Sequence, residues 1–383
     1  MRPIYHVITP GDHYSPRTGS AIPTVVHGLA TGAALADDVA EFPQRVILER
    51  GTYEPRYPSA GIVEYAPGRP APRRQRYVDA LGARLGIMRR GAVRSFAAAA
   101  EAVRDQPPGI VLAHNAPIVS WLLRDSPHQT VLYAHNDLLR SYTRSEAERV
   151  LGPSNRIIAV SDSLAGHLSA SLPKHLVSRI RVVPNGVDAE VFSPRETRPA
   201  GPVRVMFVGR MIPDKGADIL LTAAQNLGRS DVEYTIVGSH GFDSGAALSD
   251  YERQLRRQAA EVPAPVAFLP FVPRSALPEL LGGADILVLP SRWQEPWALT
   301  AGEGMAMGMA VVAARVGGIP QNIGDAGVLF DPRNPAELSA ALADLIENPS
   351  RRERFGRAAR ARAQSHDWTW AWRQLAAVLQ DLD

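Results

Sequence analysis

Two carboxylates stand out for where they fall. Glu295 and Glu303 are eight positions apart, on either side of a change in pattern: a short apolar run ends at Pro290, and a helical pattern begins near Leu299. Glu295 lies in the intervening loop and Glu303 about one turn or more inside the helix. Amides at a helix start have no intrahelical partner, and the helix dipole favours an anion there. A diphosphate fits such a place while a carboxylate grips sugar or ribose hydroxyls. Other chemistries find no support. Gly302, Gly304 and Gly308 echo a dinucleotide fingerprint but sit inside the helix, not in the turn before it. Asp381 and Asp383 form the only Asp-x-Asp and lie in the terminal tail, a poor metal site. No His-Glu-x-x-His, Gly-x-Ser-x-Gly or phosphate-loop Lys-Ser/Thr pattern occurs.

The elements that must carry these residues read as two series. Apolar runs at 4–9, 45–48, 110–113, 130–134, 156–160 and 181–183 alternate with helical patterns such as 23–31 and 163–171. A second series runs through 203–208, 234–237, 266–269, 285–289, 310–313 and 328–330, and helices near 336–347, 350–364 and 368–382 close the chain. Each series predicts a parallel sheet wrapped in helices, with ligands beyond the carboxyl ends of the strands. The polar, proline-rich stretch 193–202 reads as a linker. The expected organisation is an N-terminal Rossmann-like domain, 1–192, and a second, 203–383, whose last helix has the option of packing back on the first. Asn185 and Gly186 read as a turn, with Gly186 supplying positive φ.

Composition narrows the class. With 383 residues, 45% hydrophobic, two cores are affordable in size. No apolar run is long enough for a transmembrane helix, and the first residues are too short and polar a run for a secretory leader. The absence of cysteine rules out disulfides and thiolate chemistry. It fits a cytoplasmic setting. A formal charge of +3 gives no reason to expect nucleic-acid binding.

Nearly the whole chain resembles the retaining glycosyltransferases of family 4, which have the GT-B fold: two Rossmann-like domains whose parallel sheets face a central cleft. Glu295 and Glu303 match the family's E-x7-E. Val208, Gly209, Arg210, Lys215 and Gly216 match its strand, Gly-Arg and Lys-Gly pattern. Arg181 to Asp188 with Phe192, Ala159 to Ser161, and Ala310 to Pro320 with Gly317 and Gly318 match further segments. Gly19 and Ser20 resemble the glycine loop after the first strand. Four positions depart from the pattern: Ala298 and Gln321 replace a usual glycine and acid, Gly304 replaces an alanine, and Gly19 is single where two glycines are common.

The resemblance implies transfer of a hexosyl unit from a nucleotide diphosphate sugar, a UDP-sugar in preference to GDP-mannose, with retention of anomeric configuration. The reaction places negative charge on the diphosphate, and fixed cations stabilise it. Arg210 and Lys215 are the implied neutralising pair. Glu303 would hold ribose, Glu295 and His135 would face the sugar, and Gly19, Ser20, Gly209, Trp297, Ala298 and Leu299 would line the donor. His114, also at a strand end, reads as structural. No metal or other cofactor is expected. The acceptor stays open among glycan, lipid-linked and small molecules. So do two alternatives, a sugar-phosphate synthase or phosphorylase of related fold and an inert nucleotide-sugar-binding protein. Residues 73–94 carry seven arginines against Asp79, with Val78, Leu81, Leu85 and Met88 at helical spacing. They read first as a core-facing helix with a basic outer side, and otherwise as a face for an anionic membrane, at its inner surface, or for an acidic acceptor.

Overall fold

The computed structural model describes residues 2–38, 41–68, 79, 82, 88–194 and 201–382. The chain forms two compact units: residues up to Asn185 together with those from Trp368 onward, and Gly186–Asp367.

The first unit holds a seven-stranded sheet in the order β3-β2-β1-β4-β5-β6-β7. Its strands are β1 (Ile4–Val7), β2 (Gln44–Glu49), β3 (Gly61–Tyr65), β4 (Ile110–His114), β5 (Gln129–Ala134), β6 (Arg156–Ala159) and β7 (Ile180–Val182). Every neighbouring pair is parallel. Central strands such as β4 are buried along their whole length, because helices cover both faces of such a sheet. Strand β3 has no counterpart in the sequence reading. It is an edge strand, half-buried, and Gly61 and Glu64 interrupt its apolar character. Its helices include α1 (Ala21–Leu35), α2 (Arg90–Arg104), α3 (Pro117–Leu122), α4 (Arg144–Leu151), α5 (Asp162–Ser171) and α6 (Lys174–Val177).

The second unit holds a six-stranded sheet in the order β10-β9-β8-β11-β12-β13, again parallel throughout. The chain runs β8 (Val203–Val208), α7 (Ala217–Leu227), β9 (Val232–Val237), α8 (Asp250–Ala259), β10 (Val266–Leu269), α9 (Leu277–Leu281), β11 (Ile286–Leu289) and α10 (Leu299–Ala306). Then come β12 (Ala310–Ala314), α11 (Ile319–Ile323), β13 (Val328–Phe330), α12 (Pro335–Glu347) and α13 (Pro349–Ser365). Helix α8 begins with a full capping box, Ser249 and Glu252 each satisfying the other's backbone amide.

Packing divides the chain earlier than the linker read at 193–202, of which 195–200 lie outside the described residues. Phe192 is buried among Met206, Leu287 and Met305 of the second unit. Arg360 donates to the carbonyls of Ala189 and Phe192, which fixes this stretch further. The chain enters the second unit at Gly186 and leaves it at Asp367, and Val187 and Asp367 are joined by a β-bridge. Gly186 does not take the positive φ expected of it.

Helix α14 (Trp368–Gln380) packs on α1 in the first unit. The Trp372 indole donates to Asp38 Oδ2 at 2.6 Å, and its ring meets Phe42 edge-on. Close approach requires glycine on α1. A Cβ at Gly28 would lie 2.1 Å from the Trp368 ring, and one at Gly32 would lie 2.1 Å from the Trp368 carbonyl oxygen. A backbone carbonyl cannot rotate away as a side chain can. Gly32→Ala should therefore destabilise the first unit by about 1–3 kcal/mol, the usual cost of overpacking. Urea unfolding followed by tryptophan fluorescence measures this, and an unchanged midpoint would count against the α1–α14 contact.

Candidate active site

In the second sheet the chain order reverses between β8 and β11, and such a reversal opens a crevice beyond the strand ends. The loops after these two strands carry Arg210 and Lys215 on one side and Glu295 on the other. Lys215 Nζ donates to Glu295 Oε2 at 2.6 Å. The same oxygen accepts from the Trp293 indole at 2.7 Å and from Ser291 Oγ at 3.2 Å. The Glu295 side chain is 9% exposed, so these three donors compensate a nearly buried charge. Arg210 is exposed and makes no ion pair with any carboxylate among the described residues. Gly209 spends its amide on Val237 O at 3.0 Å.

Each loop is held by something specific. Gly216 is left-handed, and a Cβ there would sit 2.0 Å from Pro290 O, so the Lys215 turn presses on the end of β11. Arg292 fastens the same turn: its amide donates to Asp214 O, its guanidinium to Pro213 O, and two further bonds reach the Asp218 carboxylate. Burial alone would raise the Asp218 pKa, but Arg292 and the Tyr251 hydroxyl outweigh it and hold the group below the usual range. On the other side, a Cβ at Gly317 would lie 2.1 Å from Glu295 O, and the Gly318 amide donates to that carbonyl at 2.7 Å. The glycine loop after β12 thus clamps the backbone of Glu295.

Glu303 lies inside α10, buried, and pairs with Arg274 Nη1 at 2.5 Å. The segment before α10 is tied by Asn322 Nδ2, which donates to the carbonyls of Trp297 and Ala298. Trp297 is buried and Leu299 half-buried. Ala298 has φ +64, a conformation that costs a non-glycine residue about 1 kcal/mol or more. That backbone is the physical reason a glycine suits this position. Gly304 lets α10 approach Leu287 of β11.

The first sheet reverses between β1 and β4. After β1, Ser20 precedes α1 and donates to Asp12 Oδ2 at 2.9 Å, leaving Gly19 exposed beside it. Burial raises the Asp12 pKa, and the Ser20 bond opposes this. At β4 and β5 three imidazoles form a chain: His135 Nε2 to His114 Nδ1 at 2.8 Å, and His114 Nε2 to His6 Nδ1 at 2.9 Å. His6 and His114 are fully buried and His135 half-buried. Asn115, at φ 51, accepts the His135 amide at 2.7 Å.

The sequence named Glu295, Glu303, Arg210, Lys215 and His135, and the structure pairs the first with Lys215. It adds Trp293, Arg274, Arg292, Asp12, His6 and Gln44, which sequence reasoning missed. Trp293 had a local signal, an indole donor two residues from a loop carboxylate. Arg274 and Arg292 reach their partners only through the tertiary fold. Of the basic segment, Arg73, Arg74, Arg76 and Arg84 lie outside the described residues. Arg89 is engaged with Glu146 at 2.6 Å and with the Tyr142 ring. Among the described residues no helix is long and apolar enough to cross a membrane.

Comparison with known structures agrees with this architecture. Anabaena HepE, crystallised with UDP and glucose, superposes with a TM-score of 0.72 at 18% identity, over 99% of this chain and 100% of that one. Sucrose-phosphate synthase from Thermosynechococcus elongatus gives 0.73 at 20% identity, over 100% and 99%. The fold is that of the GT-B glycosyltransferases. Residues 61–191 match glycosyltransferase family 4, and residues 188–362 match the glycosyl transferases group 1. The D-inositol 3-phosphate glycosyltransferase of Corynebacterium glutamicum (strain R) is 30% identical over 293 residues, 69% of each chain. The spore coat protein SA of Bacillus subtilis (strain 168) is 29% identical over 293 residues, 70% of this chain and 76% of that one. With the D-inositol 3-phosphate glycosyltransferase of Segniliparus rotundus the match spans 58% of the relative's length. The chain is a member of glycosyltransferase family 4.

The histidine chain makes stability depend on pH. Burial lowers the pKa of His6 to about 4 and of His135 to about 3, and that of His114 well below its ordinary value of 6.5. The unfolded chain therefore takes up protons at these positions below about pH 6.5, and the folded chain does not until about pH 4. Stability should fall as pH drops through that window. Urea unfolding at pH 7 and pH 5 should give the lower stability at pH 5. Equal or greater stability at pH 5 would mean the imidazoles are charged in the fold.

Proposed function

We propose that the protein transfers a hexosyl unit from a nucleoside diphosphate sugar to an acceptor hydroxyl, with retention of configuration and without a metal ion. The observation that carries this is the meeting of Lys215 and Glu295 at the reversal point of the second sheet, with Arg210, on the same loop as Lys215, in no ion pair among the described residues. A diphosphate brings two negative charges to that place. Arg210 is free to form bidentate bonds with its oxygens. Lys215 is already half-committed to Glu295, so it would be shared between phosphate and carboxylate and would hold Glu295 against the sugar. The amides before α10 add donors for charge that develops on the leaving group. Glu303, paired with Arg274, would accept the ribose hydroxyls. A uridine donor is favoured because Anabaena HepE was crystallised with UDP-glucose. Membership of the family supports retention, and the anomeric proton coupling of the product tests it.

Arg210→Ala should lower turnover by about a hundredfold or more without unfolding the protein, as loss of a charge-stabilising donor does. The assay is release of labelled sugar from UDP-glucose or GDP-mannose, run with and without EDTA. Wild-type turnover in the variant would remove Arg210 from the mechanism. Loss of activity in EDTA, restored by magnesium or manganese, would overturn the charge scheme.

The two glutamates should separate. Glu303→Gln weakens charge-assisted bonds to ribose, each worth about 1.5–3 kcal/mol, so affinity for bare UDP should fall about tenfold or more. Glu295→Gln should leave UDP affinity nearly unchanged and reduce turnover. Calorimetric titration and initial rates on both variants make the comparison. Equal loss of UDP affinity, or the reverse pattern, would refute the assignment of roles.

A further inference from the structure

The three imidazoles are the last steps of a longer staircase. Gln44 on β2 pairs in register with Ile4, so His6 stands two residues further along on the next strand, β1. His6 is level with Leu112 on β4, and His114 is again two residues further. His114 is level with Tyr133 on β5, and His135 is two further still. Each step moves one strand across and two residues towards the carboxyl ends. Side chains two apart share a face of a sheet, so the four side chains join diagonally across one face. Gln44 Oε1 meets His6 Nε2 at 2.7 Å, and Gln44 Nε2 donates to Phe42 O at 3.0 Å.

Chemistry gives this chain a direction. A backbone carbonyl only accepts, so the Gln44 amide must turn its NH2 to Phe42 and its oxygen to His6. His6 Nε2 must then carry the proton, and its Nδ1 accepts. His114 donates to it from Nε2 and accepts at Nδ1 from His135 Nε2–H. The last ring is left with a bare Nδ1, which has no partner among the described residues. Burial holds all three rings neutral, so the order is not scrambled by an added proton.

We propose that Gln44 is a positioning residue that acts through His6 and His114 to fix His135 as the Nε2–H tautomer, so that His135 offers a lone pair, and not a proton, to a hydroxyl of the transferred sugar. This rests on the reading of His135 as facing the donor sugar. Its consequence is specificity: the site favours donors with a hydroxyl proton to give at that position, and it does not supply an acid there.

Long-range proton–nitrogen NMR on histidine-labelled protein reads each tautomer directly and needs no substrate. His135→Gln assigns the His135 signals. Wild type should show His135 protonated at Nε2 and bare at Nδ1. Gln44→Met keeps the volume but removes both polar contacts, and should leave His135 with mixed tautomers. Gln44→Glu keeps the acceptor and should preserve the wild-type form. In Gln44→Met the KM for UDP-glucose should rise roughly threefold to tenfold, the worth of one neutral hydrogen bond, with bare UDP affinity unchanged. A wild-type His135 protonated at Nδ1 overturns the proposal even if no variant folds, as does an unchanged tautomer in Gln44→Met. The expected tautomers with an unchanged KM would overturn the sugar contact alone. A wild-type protein that neither binds UDP nor cleaves UDP-glucose would sink the reading of function while leaving the tautomer result to stand or fall separately.

Discussion

Two neighbouring parallel strands that send their connections to opposite sides leave an opening between the loops that follow them. In the second unit that opening is bridged by the ion pair of Lys215 with Glu295. The pair needs its two loops to end within a hydrogen bond of each other, and much of the local structure serves that requirement. Gly216 presses one loop onto the end of β11, and Gly317 clamps the other. Arg292 joins them through backbone and carboxylate contacts. Glycines at these places are steric necessities, since a methyl group would meet backbone atoms at about 2 Å.

The first unit answers the same geometric opening with different chemistry. Its strands β1 and β4 carry neutral imidazoles where the second unit has opposite charges. A buried ion pair is costly to desolvate and must be matched by good hydrogen bonds, which Glu295 receives from Trp293 and Ser291 as well as Lys215. A chain of neutral rings avoids that cost and conveys order through hydrogen-bond direction instead. The two units thus place fixed charge on one sheet and fixed proton positions on the other.

Legibility in the sequence followed the range of the interactions. The strands of the second unit, and the places of the candidate residues Arg210, Lys215 and Glu295 in the loops after two of them, were readable because each depends on a local signal, a buried run followed by a loop. Strand β3 escaped notice because an edge strand need not be apolar on both faces. Arg274 gave no sign, since its partner Glu303 is far along the chain. The segment 193–202 looked like a linker for its prolines, yet Phe192 just before it is a core residue. Composition reports where a chain is polar and not where its packing changes allegiance. The staircase from Gln44 to His135 joins four strands distant in sequence, and only their register reveals it.

The second unit is a continuous stretch, whereas the first is completed by α14, which follows the second unit in sequence, with Trp368 and Trp372 seated on α1. On the ribosome this inverts the usual order of domain folding, in which the earlier domain is finished first. The N-terminal sheet must wait with part of α1 uncovered until Trp368–Gln380 has been made, while the inserted unit has all its own residues sooner. A nascent chain of this protein therefore keeps apolar surface of α1 uncovered until α14 has emerged, and damage to α14 would injure the half of the molecule made first.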